Sequence, residues 1–213
     1  MRAFLLYQHS GNVVDKDIQD GSGQTALIAA IRNVHVSVAK QLISAGANLN
    51  IYDNEKKTAL ICASTRGMTS IVTDLLDRGA DAAHADQDGW TALTHAANNG
   101  HSPVVRLLLR SKLDVNHREA GDGKTPLCLA AENGHEDVVR LLIDAGASVN
   151  RTDRETKTPL MYAASGGYIG VAKRLLLASA SVNAATKKKG DSALMIAANA
   201  GFPDIVKVYI NRP

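Results

Sequence analysis

GKTPLCLAAENGHEDVVRLLIDAGASVNRTD, residues Gly123 to Asp153, decides how the whole chain is read, because looser copies of it recur from one end to the other. Aligned on the hydroxyl residue and leucine that open it, the copies begin at Thr25/Leu27, Thr58/Leu60, Thr91/Leu93, Thr125/Leu127, Thr158/Leu160 and Ser192/Leu194. The steps are 33, 33, 34, 33 and 34 residues. Self-similarity at a fixed period of this size marks a stacked array rather than a globule with one core. In the reference copy the Thr125 hydroxyl can accept from a free amide at a helix start. Pro126 fits the first helical position, where its missing N–H had no partner. Leu127, Leu129, Ala130 and Ala131 then make a short inner helix whose small residues allow close approach. Asn133-Gly134 interrupts it, and Val138, Val139, Leu141, Leu142 and Ile143 trace the apolar face of a second helix at i, i+3 and i+4 spacing. Gly146 closes that helix, as a residue entering the left-handed region should. Residues 147–153 are too polar and too few for another helix and suit an extended turn into the next copy. One copy cannot bury both of its helices, so neighbours must stack.

The TPLCLAAENGHEDVVRLLIDAGASVN core resembles the ankyrin-repeat family, with looser copies over roughly residues 20 to 213. The resemblance implies an all-α ankyrin-repeat solenoid of about six helix-turn-helix units with extended β-turn fingers. The units fall at about 20–52, 53–85, 86–119, 120–152, 153–186 and 187–213, after a partial N-terminal unit or cap over 1–19. Several positions depart from the pattern. Val34 stands in place of the glycine between two helices, Lys56 in place of a turn glycine, and Ala83 in place of an exit-loop asparagine. Lys112 and Ser179 occupy the helix-ending place of Gly46, Gly79 and Gly146, and both are expected in the left-handed region at a cost. Val206, Tyr209 and Ile210 stay apolar where a terminal cap would turn polar, so the last unit is expected to present an open stacking face.

Composition narrows the function classes. The 213 residues are 45% hydrophobic but only 4% aromatic, so packing rests on aliphatic side chains and alanine. Twenty-four Lys and Arg against 21 Asp and Glu leave a net charge of +3, too balanced for binding driven by phosphate neutralisation. Nucleic acid is therefore not an expected partner. No apolar run approaches a membrane span and residues 2–6 are too short for a signal-peptide core, which makes a cytoplasmic protein the expectation. Cys62 and Cys128 lie two units apart on inner helices, about 20 Å from each other and beyond disulfide reach, and read as core residues. His35, His101 and His135 share one position after the interhelical turn, where recurrence predicts structural hydrogen bonding. His84 and His117 lie in exit loops without ligand spacing, and His95 reads as packed or partner-facing. No catalytic residue, metal site or cofactor is expected.

By the resemblance, the fingers and inner-helix ends form a concave surface that grips another protein or a peptide. Carried over by position, the candidate partner-binding residues are Lys57, Arg66, Asp88, Trp90, Asn98, Asn99, Asp122, Lys124, Glu132, Asn133, Arg154 and Lys157. They vary from unit to unit while the apolar frame does not. Trp90 has two readings, an aromatic anchor for a partner or a bulky residue packed on its neighbouring finger. The mixed charge of this face suits a partner of both signs, on the acidic side. The expected function is a non-enzymatic, monomeric interaction scaffold. Its alternative is a structural segment of a larger protein whose open ends stack on other domains or copies.

Overall fold

A computed structural model describes residues 14–211. The partial unit expected over residues 1–19 falls mostly outside that range. Six inner helices, α1 (Ala26–Arg32), α3 (Ala59–Thr65), α5 (Ala92–Asn98), α7 (Pro126–Glu132), α9 (Pro159–Gly166) and α11 (Ala193–Asn199), alternate along the chain with six outer ones. The outer helices are α2 (Val36–Ser44), α4 (Thr69–Asp77), α6 (Ser102–Leu108), α8 (Glu136–Asp144), α10 (Ile169–Leu177) and α12 (Pro203–Ile210). Each inner helix packs on the next inner helix and on its own outer helix, and each outer helix packs on the next outer one. The result is an all-α solenoid in two rows. Among the described residues the only strand-like pairing is an isolated antiparallel bridge at the base of three fingers, Tyr52 with Thr58, Ala85 with Thr91 and Ala185 with Ser192.

The helix starts follow from the hydroxyls. Thr25, Thr58, Thr91, Thr125, Thr158 and Ser192 each accept a hydrogen bond from the backbone N–H three residues on, at 3.2–3.3 Å. Such a cap contributes about 1 kcal/mol. Leu27, Leu60, Leu93, Leu127 and Leu160 are then fully buried between successive inner helices.

Every inner helix ends in the same double bond. At the first, Val34 N–H donates to Ile31 and His35 N–H to Ala30, with Val34 at φ 61°. This is a Schellman close whose left-handed position is usually glycine. The interhelical glycines have a second reason. A Cβ on Gly67 would lie 2.7 Å from the His101 ring, on Gly100 2.6 Å from the His135 ring, and on Gly134 2.5 Å from the Tyr168 ring. In these units the residue that caps the start of the outer helix lies over the preceding unit's turn. Val34 carries a Cβ there, and the residue one unit on is the flexible Met68.

At the outer-helix ends Ser179 behaves as expected. Its φ is 65°, and Ser179 and Ala180 donate to Leu176 and Leu175 in the same pattern that Gly46, Gly79 and Gly146 close. Lys112 does not. It lies outside the left-handed region, contrary to the sequence expectation. Helix α6 stops at Leu108, leaving seven residues where α2, α4, α8 and α10 have nine, and the chain leaves through tight turns from Arg110 to Leu107 and from Ser111 to Leu108. Shortening the helix avoids the strain of a side chain at positive φ. Lys56 is left-handed at φ 59°, and so is Thr156 at φ 65°, which the sequence reading passed over.

Candidate partner-binding surface

Hydrogen bonds tie the fingers in up to three directions. Within a finger, a carboxylate at its base accepts from backbone N–H groups further along. Asp20 accepts from Ser22 and Gln24, Asp53 from Glu55 and Lys57, and Asp86 from Asp88 and Trp90, at 2.8–3.1 Å. In the longer fourth finger Glu119 accepts from Gly121 and Lys124. Between fingers, the Asn54 N–H donates to Ser22 O, Gln87 to Glu55, Ala120 to Asp88 and Arg154 to Asp122, at 2.8–3.1 Å. Towards the inner helices, the second carboxylate oxygen takes a side chain: Arg32 on Asp53, His95 on Asp86 at 2.8 Å, and the Tyr162 hydroxyl on Asp153 at 2.5 Å.

These ties set the electrostatics. Burial alone would push the Asp86 carboxyl up, but hydrogen bonds from His95, Trp90 and Asp88 outweigh it and hold the group below the ordinary carboxylate range. Burial and the Asp153 carboxylate push the Tyr162 hydroxyl far up, so it stays a donor. The Lys57 ammonium, 2.8 Å from Glu55, is held above its usual value, and Glu55 below its own. Burial pushes both the Cys62 and the Cys128 thiols up, and both cysteines are free.

All twelve candidate residues lie on fingers or inner-helix ends, and they fall into two groups. Lys57 is committed to Glu55. Lys124 is committed to Glu132 at 2.8 Å and to Asp122 at 3.5 Å, and lies 5.0 Å from the centre of the Tyr162 ring. Lys157 is 3.7 Å from Glu155 and 5.9 Å from the centre of the same ring. Asn133 donates to Asn98 of the preceding unit at 3.1 Å. Arg66, Asp88, Asn99 and Arg154, by contrast, are exposed, and the three charged ones make no salt bridge among the described residues. Trp90 is half-buried, its ring tilted against His95 at 5.1 Å. The ring thus packs on the inner helix of its own unit rather than on a neighbouring finger, and the residue stays half-exposed.

Three depressions run along this face. The first, about 560 Å³, has Arg32, Lys57, Cys62 and Arg66 in its wall. The second, about 590 Å³, is lined by Asp86, Asp88, Trp90, His95 and Glu119, and the third, about 480 Å³, by Glu132, Lys157, Tyr162, Lys188, Lys189 and Ile196. A family model of ankyrin repeats matches the chain three times, over residues 2–86, 64–153 and 149–212. The chain belongs to the ankyrin-repeat family. No curated protein matches it. Ankyrin repeats are in general protein–protein interaction modules.

The ankyrin frame also explains the histidines. His101 and His135 bond the Thr65 and Asn98 carbonyls of the preceding unit, at 3.0 and 2.9 Å, as recurrence predicted. His35 is exposed. His84 and His117 reach back to the Lys56 and Gly89 carbonyls at 2.8 and 2.9 Å and brace the preceding finger. Among the described residues no three His, Cys, Asp or Glu side chains converge as a metal site would need, and no helix is long and apolar enough to cross a membrane.

The sequence reading missed Asp53, Asp86, Asp153, Tyr162 and Ile196 as parts of this surface. Two signals carry them. An aspartate recurs five residues before the opening threonine, at 20, 53, 86 and 153. The fourth residue after that threonine changes from Ala29 through Cys62, His95, Leu129 and Tyr162 to Ile196 while its neighbours hold.

Proposed function

We propose that this chain is a non-enzymatic recognition scaffold that holds a protein or peptide partner along its fingers and inner helices. The observation that carries the reading is Trp90. A half-exposed tryptophan, fixed by a buried Asp86–His95 pair and flanked by unpaired charge, is the arrangement of an interface anchor. The fingers beside it are hydrogen-bonded into one row, so a partner meets a surface already ordered and little entropy is lost on docking. A balanced, mixed charge suits a protein partner in the cytoplasm rather than nucleic acid.

Affinity capture tests it, with the chain and two folded variants as baits: Trp90→Ala with Arg66→Ala on the finger face, and Lys173→Glu on the outer face. A protein retained by the parent and the outer-face variant but lost from the finger-face variant is the expected result. Equal retention by all three would refute recognition through this surface.

A second reading is favoured by one observation. Leu194 and Met195 are 39% and 54% exposed and Ile210 is 67% exposed, whereas Leu160 and Met161, one unit earlier, are buried beneath the sixth unit. The chain then acts as a structural segment that stacks end-on against another domain or copy. Sedimentation of the chain at rising concentration, beside Met195→Glu with Ile210→Glu, tests it. Self-association abolished by the pair supports stacking, and a monomer at every concentration removes stacking on copies.

A further inference from the structure

Two adjacent depressions on the finger face carry opposite charge. Among its lining residues the first has Arg32, Lys57 and Arg66 against one carboxylate, Glu55. The second has Asp86, Asp88 and Glu119 against one cation, Lys57, with Trp90 and His95 between them. Much of this charge is already spent within the chain. Arg32 pairs with Asp53 and lies 3.6 Å from Glu55, which also holds Lys57. Asp86 and Glu119 are buried and taken up by finger N–H groups. What remains unengaged is one group on each side. Arg66, the C-cap of α3, is exposed beside the first depression, and Asp88 is exposed on the third finger beside the Trp90 ring.

The two leftover groups ask for different things. A guanidinium at a helix end, with its neighbours committed elsewhere, accepts a carboxylate in a bidentate pair. An indole face next to a free carboxylate accepts a cation, and tryptophan is the best of the aromatic rings for it. Stacked helices of neighbouring units lie about 10 Å apart, and because Arg66 ends its inner helix whereas Trp90 precedes the next one, the seven-residue length of α5 adds about 10 Å along the axis. An extended chain covers the diagonal, about 15 Å, in about five residues at roughly 3.3 Å each.

The geometry points to an extended partner segment that seats an Asp or Glu at Arg66 and, about five residues away, an Arg or Lys over Trp90 against Asp88. This rests on recognition through the finger face and adds the chemistry of the partner. A helical segment would need about ten residues to bridge the same two groups, at 1.5 Å per residue. The spacing therefore reports the conformation of what binds.

A random 12-residue peptide library displayed on phage and selected on the full chain is the test. Parallel selections use the folded variants Arg66→Glu, Asp88→Lys and Trp90→Ala. Enriched peptides are expected to carry an acid and a base at a spacing of about five. Their binding should fall about tenfold or more on each charge reversal, because like charges then face one another. Selection on Asp88→Lys should exchange the base for an acid. Peptides of one charge sign, a helical spacing of about ten, or unchanged binding to Arg66→Glu and Asp88→Lys would each overturn the inference. Peptides that need Trp90 but show no charge pair overturn it while leaving recognition through the finger face intact. A library yielding no binder to the parent chain would remove both.

Discussion

Ser64 buries its hydroxyl without a partner, the only such side-chain atom among the described residues. The equivalent positions in later units are Ala97, Ala131 and Ala164, also buried. An alanine fits there, so Ser64→Ala should raise stability by about 1 kcal/mol, the penalty of a desolvated hydroxyl removed. Urea unfolding measures it, and a lower midpoint would mean that the hydroxyl has a partner in solution. The two odd helix ends separate in the same assay. Ser179→Gly should stabilise by about 1 kcal/mol, because Ser179 sits at positive φ in a Schellman close. Lys112→Gly should not stabilise, and the added backbone freedom should cost about 0.5 kcal/mol. Sequence alone treated these two residues alike. Each departs from glycine at one aligned position, and alignment records the position but not the chain's alternative of ending the helix two residues sooner. At Val34 the helix keeps its usual end, with both Schellman bonds formed, and the valine carries the strain of φ 61°.

The finger is the element in which stability and recognition meet. Asp86 anchors one by accepting from Asp88, Trp90 and His95, and its carboxyl titrates below the ordinary range. A group with a lowered folded value contributes fully above its unfolded value and loses that contribution as pH falls through the folded one. Asp86→Ala should therefore cost about 2 kcal/mol at neutral pH, for a buried charged hydrogen-bonding group. That gap should narrow below about pH 4, where the unfolded carboxyl begins to protonate. Urea midpoints of parent and variant across this range check it, and a gap that stays constant into acid would show that the carboxylate charge does not matter. The exit loops form a second ladder. Asn50, Asn116 and Asn150 accept from the Asp81, Ser148 and Ser181 N–H groups of the next unit, at 2.7–2.9 Å. Ala83 breaks it between the second and third units. Ala83→Asn should add about 1 kcal/mol in the same urea assay by restoring the bond to Asp114, and an unchanged midpoint would show that the early end of α6 has moved that N–H out of reach. Helices, caps and unit count were legible because each repeats in register. The finger ties were not, because a carboxylate's partner is Arg32 in one unit, His95 in another and Tyr162 in a third, and only the aspartate itself is periodic.

At the scale of the whole molecule, the contacts of the solenoid are those of a one-dimensional stack. Helix α7 touches α5 and α9 but has no packed contact with α1, so its energy couples to distant units only through the ones between. Leu127 makes the point testable, being fully buried in α7. Leu127→Ala should cost about 3 kcal/mol, the transfer and cavity terms together. In a globule with one core that loss would appear at every amide protected by global unfolding. Here hydrogen exchange should quicken most in α5 to α9 and progressively less toward α1 and α2, which keep their own packing on α3 and α4. Helices α11 and α12 should exchange fastest in both proteins, because Leu194 and Met195 lack the cover that Leu160 and Met161 receive. An equal acceleration in all twelve helices would show instead that the six units unfold as one, with the hydrogen-bonded row of fingers coupling them more strongly than helix packing does.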